Sequence, residues 1–175
     1  PTPARSSAAS DVYKRQILEH QKEYDYEVCS CFTNNPEAAG LSFCKEYKID
    51  CKIIDHKNYN DREEYDGLIN SYLENLNPDL IVLAGYMRIM SKSLVDNWEG
   101  QIVNIHPSLL PKYPGLNTHK RALEAKDKTH GSTIHFVTSE LDSGPIIRQE
   151  SFEIEPSDTE ESPVSYTHLR AHETQ

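Results

Sequence analysis

Asn104, His106 and Asp142 have the side-chain types that proton-transfer chemistry requires. Asn104 and His106 lie two apart after the apolar pair Ile102-Val103, and in an extended chain residues i and i+2 point to the same side. Pro107 pushes His106 out of the helical region. An amide and an imidazole are therefore expected together at the end of a buried strand, the place where open α/β sheets take their ligands. Pro111 and Pro114 stiffen the loop that follows, and Gly115 permits a turn. A neutral amide donor, a group that titrates near neutral pH and a carboxylate suit a reaction with a tetrahedral intermediate. The amide stabilises an oxyanion, the imidazole gives or relays a proton, and the carboxylate orients the imidazole. The same residues also have structural uses: an Asn-x-His pair can simply belong to a strand, and Asp142, in Leu141-Asp142-Ser143-Gly144-Pro145, can cap its own turn. No Ser or Cys stands in a nucleophile-elbow pattern, which argues against covalent catalysis.

Other chemistry-bearing residues read less sharply. His106, His119, His130 and His135 match no metal-ligand spacing, so no metal is expected. Tyr86-Met87-Arg88-Ile89-Met90 follows an apolar strand and is either a loop packed on the core or a pocket wall with Arg88 facing a carboxylate. Arg62, near a helix start, reads as solvated surface, and Lys112 as an exposed loop lysine. Cys29, Cys31, Cys44 and Cys51 read as small buried apolar residues, giving a reducing, cytoplasmic setting as the default.

The elements that must position these groups alternate. Residues 26–32 and 51–55 read as strands, with a helix between them capped by Asn35 and carrying Pro36 at its first position. Asn60 is expected to cap a second helix whose apolar stripe is Tyr65, Leu68, Ile69, Tyr72, Leu73 and Leu76, ended by Pro78. The uninterrupted run at 80–84 predicts a strand covered on both faces. Ser91 opens a helix through Trp98, residues 101–105 form the strand that feeds the key loop, and Thr118 caps a helix to about Lys126. Residues 133–137 and 146–154 are two further strands, joined by a short turn that allows an antiparallel pair. Alternation of this kind implies an α/β fold with a mostly parallel sheet flanked by helices.

With 175 residues the chain suits one domain with a real core. Its net charge of −10 argues against broad nucleic-acid binding. No apolar run approaches the roughly 20 residues that span a membrane. Residues 1–16 and 163–175 show no periodicity and read as translated adapter sequence, "DVYKRQ" at one end and "SYTHLRAHET" at the other. The native domain is accordingly expected over 17–162 and the other residues are set aside as non-native ends.

Four ordered motifs resemble one family. Residues 104–111 (NIHPSLLP), continued by 112–119 (KYPGLNTH), are similar to the signature of the folate-dependent formyltransferases, as are 84–90 (AGYMRIM), 131–138 (GSTIHFVT) and 141–145 (LDSGP). The continuation Tyr113-Pro114-Gly115-Leu116 resembles the branch whose acceptor is glycinamide ribonucleotide. The resemblance implies a Rossmann-like formyltransferase fold that moves a formyl group from 10-formyltetrahydrofolate, a co-substrate, to a primary amine in purine biosynthesis. It implies Asn104, His106 and Asp142 as the catalytic residues, Met87, Arg88, Ile89, Met90 and Asn104 around the folate, and Arg62 with Arg88 at its glutamate tail. The implied partners are these two small molecules, with neither nucleic acid nor membrane, in a monomer or homodimer. Other members of the family, a formyltetrahydrofolate hydrolase, or a folate-binding module without turnover are the alternatives. The family's Gly-rich N-terminal phosphate loop and its C-terminal helix have no counterpart here, so the first strand is expected to be missing. Asn117 stands where the family often has histidine.

Overall fold

The computed structural model describes residues 8–155 and 158, with the side chains of 8–12 left aside. The chain divides into two compact units, Pro1–Pro78 and Asp79–Gln175.

In the first unit, helix α1 covers Ala8–Glu19, crossing the boundary at which residues 1–16 were set aside. Lys14, Arg15, Gln16 and Leu18 are all good helix formers, Arg15 Nε donates to Glu19 one turn on (2.7 Å), and Leu18 is buried. Strands β1 (Cys31–Thr33) and β2 (Cys51–Ile53) pair in parallel, Cys31 opposite Cys51. The helix expected from Asn35 begins later: α2 spans Leu41–Glu46 with Gly40 at its N-cap. The Asn35 carboxamide instead accepts from the Glu37 amide (3.0 Å), closing a local turn that competes with helix. Of the cysteines, Cys44 is buried, Cys31 and Cys51 are half-buried, and Cys29 is exposed, contrary to the expectation for it.

Helix α3 covers Arg62–Leu76. Asp61, not Asn60, caps it by accepting from the Glu63 amide (3.2 Å), and Glu63 and Glu64 in the first turn complement the helix dipole. Asn77 closes it in the left-handed conformation (φ 48°), its N–H bonded to the Leu73 carbonyl (2.8 Å). Tyr65 and Ile69 of the predicted stripe are buried, and the Tyr65 hydroxyl donates to the Ile54 carbonyl (3.1 Å). Leu68 lies on the exposed side.

In the second unit, β3 (Ile81–Leu83), β4 (Ile102–His106), β5 (Thr129–Phe136) and β6 (Ile146–Glu153) form one sheet in that order. β3 and β4 are parallel, and β4–β5 and β5–β6 antiparallel. The sheet is thus mixed, with the short-turn antiparallel pair where the sequence allowed one. The run at 80–84 is not covered on both faces: Leu80 is 51% and Val82 40% exposed. α4 (Lys92–Asn97) starts at Ser91, whose hydroxyl accepts from the Leu94 amide (3.3 Å), and α5 (Thr118–Glu124) starts after Asn117 in the left-handed conformation. Ile102 and Val103 of β4 are buried with Leu94, Val95, Trp98, Leu110 and Ala122. That apolar interior fixes the face on which β4 presents its polar residues. Among the described residues no helix is long and apolar enough to cross a membrane.

Candidate active site

The parallel pair places Leu83 opposite Asn104, so Asn104 lies at the carboxyl end of β3 and β4. The antiparallel pair places His135 opposite Asn104 and Thr133 opposite His106. These registers bring four polar side chains together. His135 Nδ1–H donates to the Phe136 carbonyl (2.9 Å). Nδ1 therefore carries a proton, and Nε2 accepts from Asn104 Nδ2 (3.2 Å). His135 Nε2 also lies 3.7 Å from Asp142 Oδ1, while Asp142 Oδ2 faces His106 Nδ1 at 3.4 Å. His106 Nε2–H donates to the Tyr113 carbonyl (2.9 Å). Asp142 stands between two imidazoles, and its side chain is 9% exposed against 6% for His106.

The loop after β4 is held by its own polar groups. The buried Ser108 hydroxyl donates to the Lys112 carbonyl (2.6 Å). Thr133 Oγ1 donates to the Ser108 carbonyl (2.6 Å) and accepts from the Leu110 amide (3.1 Å). Gln149 Nε2 bonds both the Leu110 carbonyl (2.8 Å) and Thr133 Oγ1 (2.9 Å). The Gly115 amide donates to Asp142 Oδ2 (2.8 Å), tying the loop to the carboxylate. Asp142 has φ 50°, a left-handed conformation that aspartate tolerates better than most residues.

A cavity of about 90 Å³ opens beside this group, lined on one side by Leu83, Tyr86, Arg88, Ile89 and Met90 and on another by Asn104, His135, Leu141 and Asp142. Asn104 and Asp142 reach its wall. His106 does not line it and sits behind the carboxylate. Met87 is 59% exposed and lies off the cavity wall. Arg62 is exposed on α3, in the other unit.

His135 is the participant that the sequence reading weighed only as a metal ligand. In strand β5 it follows Thr133 by two residues on the same face, and only the antiparallel pairing with β4 puts it opposite Asn104. Among the described residues no group of three His, Cys, Asp or Glu is arranged to hold a metal ion.

A parallel strand pair that carries Asn104 and His106, an antiparallel neighbour that adds His135 and a turn that adds Asp142, all beside an apolar cleft, form the site of a Rossmann-like α/β group-transfer domain. The chain belongs to the formyl transferase family, which matches residues 4–174. It is 43% identical over 140 residues to the phosphoribosylglycinamide formyltransferase of Haemophilus influenzae, covering 80% of this chain and 66% of that one. Against the Escherichia coli enzyme of the same name it is 40% identical over 145 residues, covering 83% and 68%. A Drosophila melanogaster trifunctional purine biosynthetic protein is 43% identical over 146 residues, covering 83% of this chain and 11% of that protein. Among solved structures, the phosphoribosylglycinamide formyltransferase of Coxiella burnetii superposes with a TM-score of 0.84 at 38% identity, covering 94% of this chain and 77% of that one. The chain thus spans about two thirds of the length of its bacterial relatives.

Proposed function

We propose that this chain carries the formyl-transfer site of a phosphoribosylglycinamide formyltransferase, acting in de novo purine biosynthesis. The formyl donor is 10-formyltetrahydrofolate and the acceptor is the primary amine of glycinamide ribonucleotide. The observation that carries the reading is the continuous run of contacts from Asn104, on the cavity wall, through His135 and Asp142 to His106 behind it.

The bound folate supplies a formyl carbon with an amine nitrogen as its leaving group. Asn104 spends one Nδ2–H on His135 and keeps the other for the oxygen that becomes negative when the acceptor nitrogen adds to that carbon. Asp142, on the cavity wall, takes the proton that the acceptor nitrogen sheds as the new C–N bond forms. It returns the proton to the folate nitrogen as the old C–N bond breaks and the C=O reforms. His106 faces a carbonyl at Nε2 and a carboxylate at Nδ1, and an imidazole protonated on both nitrogens satisfies both acceptors. His106 is coupled to the reacting group through its contact with Asp142.

The apolar and aromatic wall of Leu83, Tyr86, Ile89, Met90 and Leu141 suits the flat face of a pterin. Arg88 on the same wall suits a carboxylate. The part given to Arg62 rests on the resemblance alone.

The test is an acceptor competition. Formyl-labelled 10-formyltetrahydrofolate is offered with glycinamide ribonucleotide, with methionyl-tRNA and with water alone. Label appearing on the ribonucleotide amine supports the assignment, whereas transfer to tRNA or release of formate alone overturns it.

A further inference from the structure

We propose that Asp127 is a positioning residue for His106, acting through Tyr113; the inference rests on the formyl-transfer reading of the site. Tyr113 has φ 57°, a left-handed backbone that a bulky residue rarely adopts. That backbone directs its carbonyl toward His106 Nε2 (2.9 Å). Strain of this kind persists only where the surroundings over-determine it. Ser108 contributes weakly, its hydroxyl lying 3.3 Å from the Tyr113 carbonyl.

The firmer grip is on the side chain. The Tyr113 hydroxyl donates to Asp127 Oδ2 (2.9 Å), and the same oxygen accepts from Lys112 Nζ (2.9 Å). The Arg121 guanidinium lies 5.2 Å from the centre of the Tyr113 ring and donates to the Pro114 carbonyl (2.6 Å). Asp127 lies in the connection between helix α5 and strand β5, the strand that carries His135. The Lys112 ammonium and the Tyr113 hydroxyl both hold its carboxyl below the usual carboxylate range. Lys112 is 61% exposed, so its ion pair contributes little. The half-buried phenol bond is the side-chain tie that holds Tyr113 itself, beside the Ser108, Thr133 and Gly115 bonds that hold the rest of the loop.

The consequence is chemical. With Nε2–H committed to the Tyr113 carbonyl, the ring presents Nδ1 to Asp142. Release of Tyr113 frees the ring to rotate and removes the proton from its defined place. The titratable groups around His106 are Asp142 before β6, His135 and His130 on β5, and His119 on α5. None of them replaces the carbonyl of Tyr113.

The experiment is a nitrogen-detected NMR measurement on the 175-residue chain with labelled histidine, the His106 signal being assigned by its loss in His106→Gln. The expected result is a protected His106 Nε2–H that exchanges with solvent about tenfold faster or more in Asp127→Ala and in Tyr113→Phe. Asp127→Glu restores protection, Lys112→Met leaves it within about twofold, and the His135 signals stay in place throughout. Unchanged protection in Tyr113→Phe overturns the proposal, including in the case where Asp127→Ala fails to fold. Formyl transfer measured in parallel is expected to show a kcat about tenfold lower in Tyr113→Phe, with KM within about twofold. Loss of protection without any formyl transfer by the parent chain extended to the full length of its bacterial relatives supports the positioning role and refutes the assigned reaction instead.

Discussion

Asn104 Nδ2 donates to His135 Nε2 at 3.2 Å across directly opposed residues of two antiparallel strands. The carboxamide is thereby held in one orientation, with Oδ1 and one N–H left over. His135 is itself locked by the Phe136 carbonyl, so the orientation of Asn104 is set by backbone two bonds removed. His135→Phe keeps a planar aromatic ring, somewhat larger than imidazole, and removes the acceptor. It is expected to lower turnover about tenfold to a hundredfold while stability changes by less than about 2 kcal/mol. Steady-state kinetics beside urea unfolding checks both numbers.

Asp142→Asn separates charge from shape. Asparagine tolerates the left-handed backbone at this position, and its carboxamide oxygen can still accept from the Gly115 amide. The fold is expected to survive, with kcat reduced about a hundredfold or more because no group remains to take the acceptor's proton. Circular dichroism and single-turnover kinetics on the same sample measure the two effects independently.

The β5–β6 region tests the packing that carries the site. A Cβ on Gly131 would lie 2.0 Å from the Glu150 carbonyl oxygen, and one on Gly144 would lie 1.8 Å from that of Phe136. Backbone on both sides must move. Either alanine substitution is expected to cost about 2–4 kcal/mol, read as a lower urea midpoint at unchanged slope. Gly144→Ala should also impair catalysis, since Asp142 lies two residues before it.

Stability should fall on acidification through one identified pair. Burial, reinforced by the neighbouring imidazoles of His130 and His106, pushes His119 down to about 4. His130, 4.6 Å away between ring centres, is lowered for the same first reason. The fold therefore holds these rings neutral, and the unfolded chain binds more protons between about pH 6.5 and pH 4. Their contribution is fully present above about pH 6.5 and is lost as pH falls through about 4. Roughly 2 kcal/mol should disappear between pH 7 and pH 4 through His119 after allowance for partial exposure. Urea titrations at several pH values measure it, and His119→Asn should flatten the dependence.

The cysteines should separate by reactivity. Burial, with Cys44 adjacent, pushes the thiols of Cys31 and Cys51 up to about 12, whereas Cys29 is exposed. Iodoacetamide at pH 8 is expected to label Cys29 first, with the other three at least about tenfold slower in the folded chain. Mass spectrometry of timed samples gives the order.

The features legible in the sequence were those with local causes. Helix α3 followed from an apolar stripe and Pro78, although its cap is Asp61 and not the expected Asn60, and strand β4 from Ile102-Val103 with Pro107 behind it. Asn104, His106 and Asp142 were selected on residue chemistry, and the fold brings His106 and Asp142 into contact. What escaped depends on distant pairing. His135 meets Asn104 across 31 residues only because β5 runs antiparallel to β4, and nothing in either strand declares that direction. The helix expected at Asn35 failed because an Asn side chain can bond its neighbouring backbone as readily as it caps a helix. That His106 sits behind Asp142 instead of on the cavity wall follows from the Tyr113 carbonyl, a backbone group with no sequence signature.

The most direct test is single-turnover formyl transfer from 10-formyltetrahydrofolate to glycinamide ribonucleotide. It compares the chain, extended to the full length of its bacterial relatives, with its His106→Ala and Asn104→Ala variants. Each variant is expected to lose about a hundredfold or more in rate, while affinity for a non-reactive folate analogue stays within about threefold. Folded variants that transfer the formyl group at the parent rate would contradict the account, because the reacting atoms would then lie elsewhere.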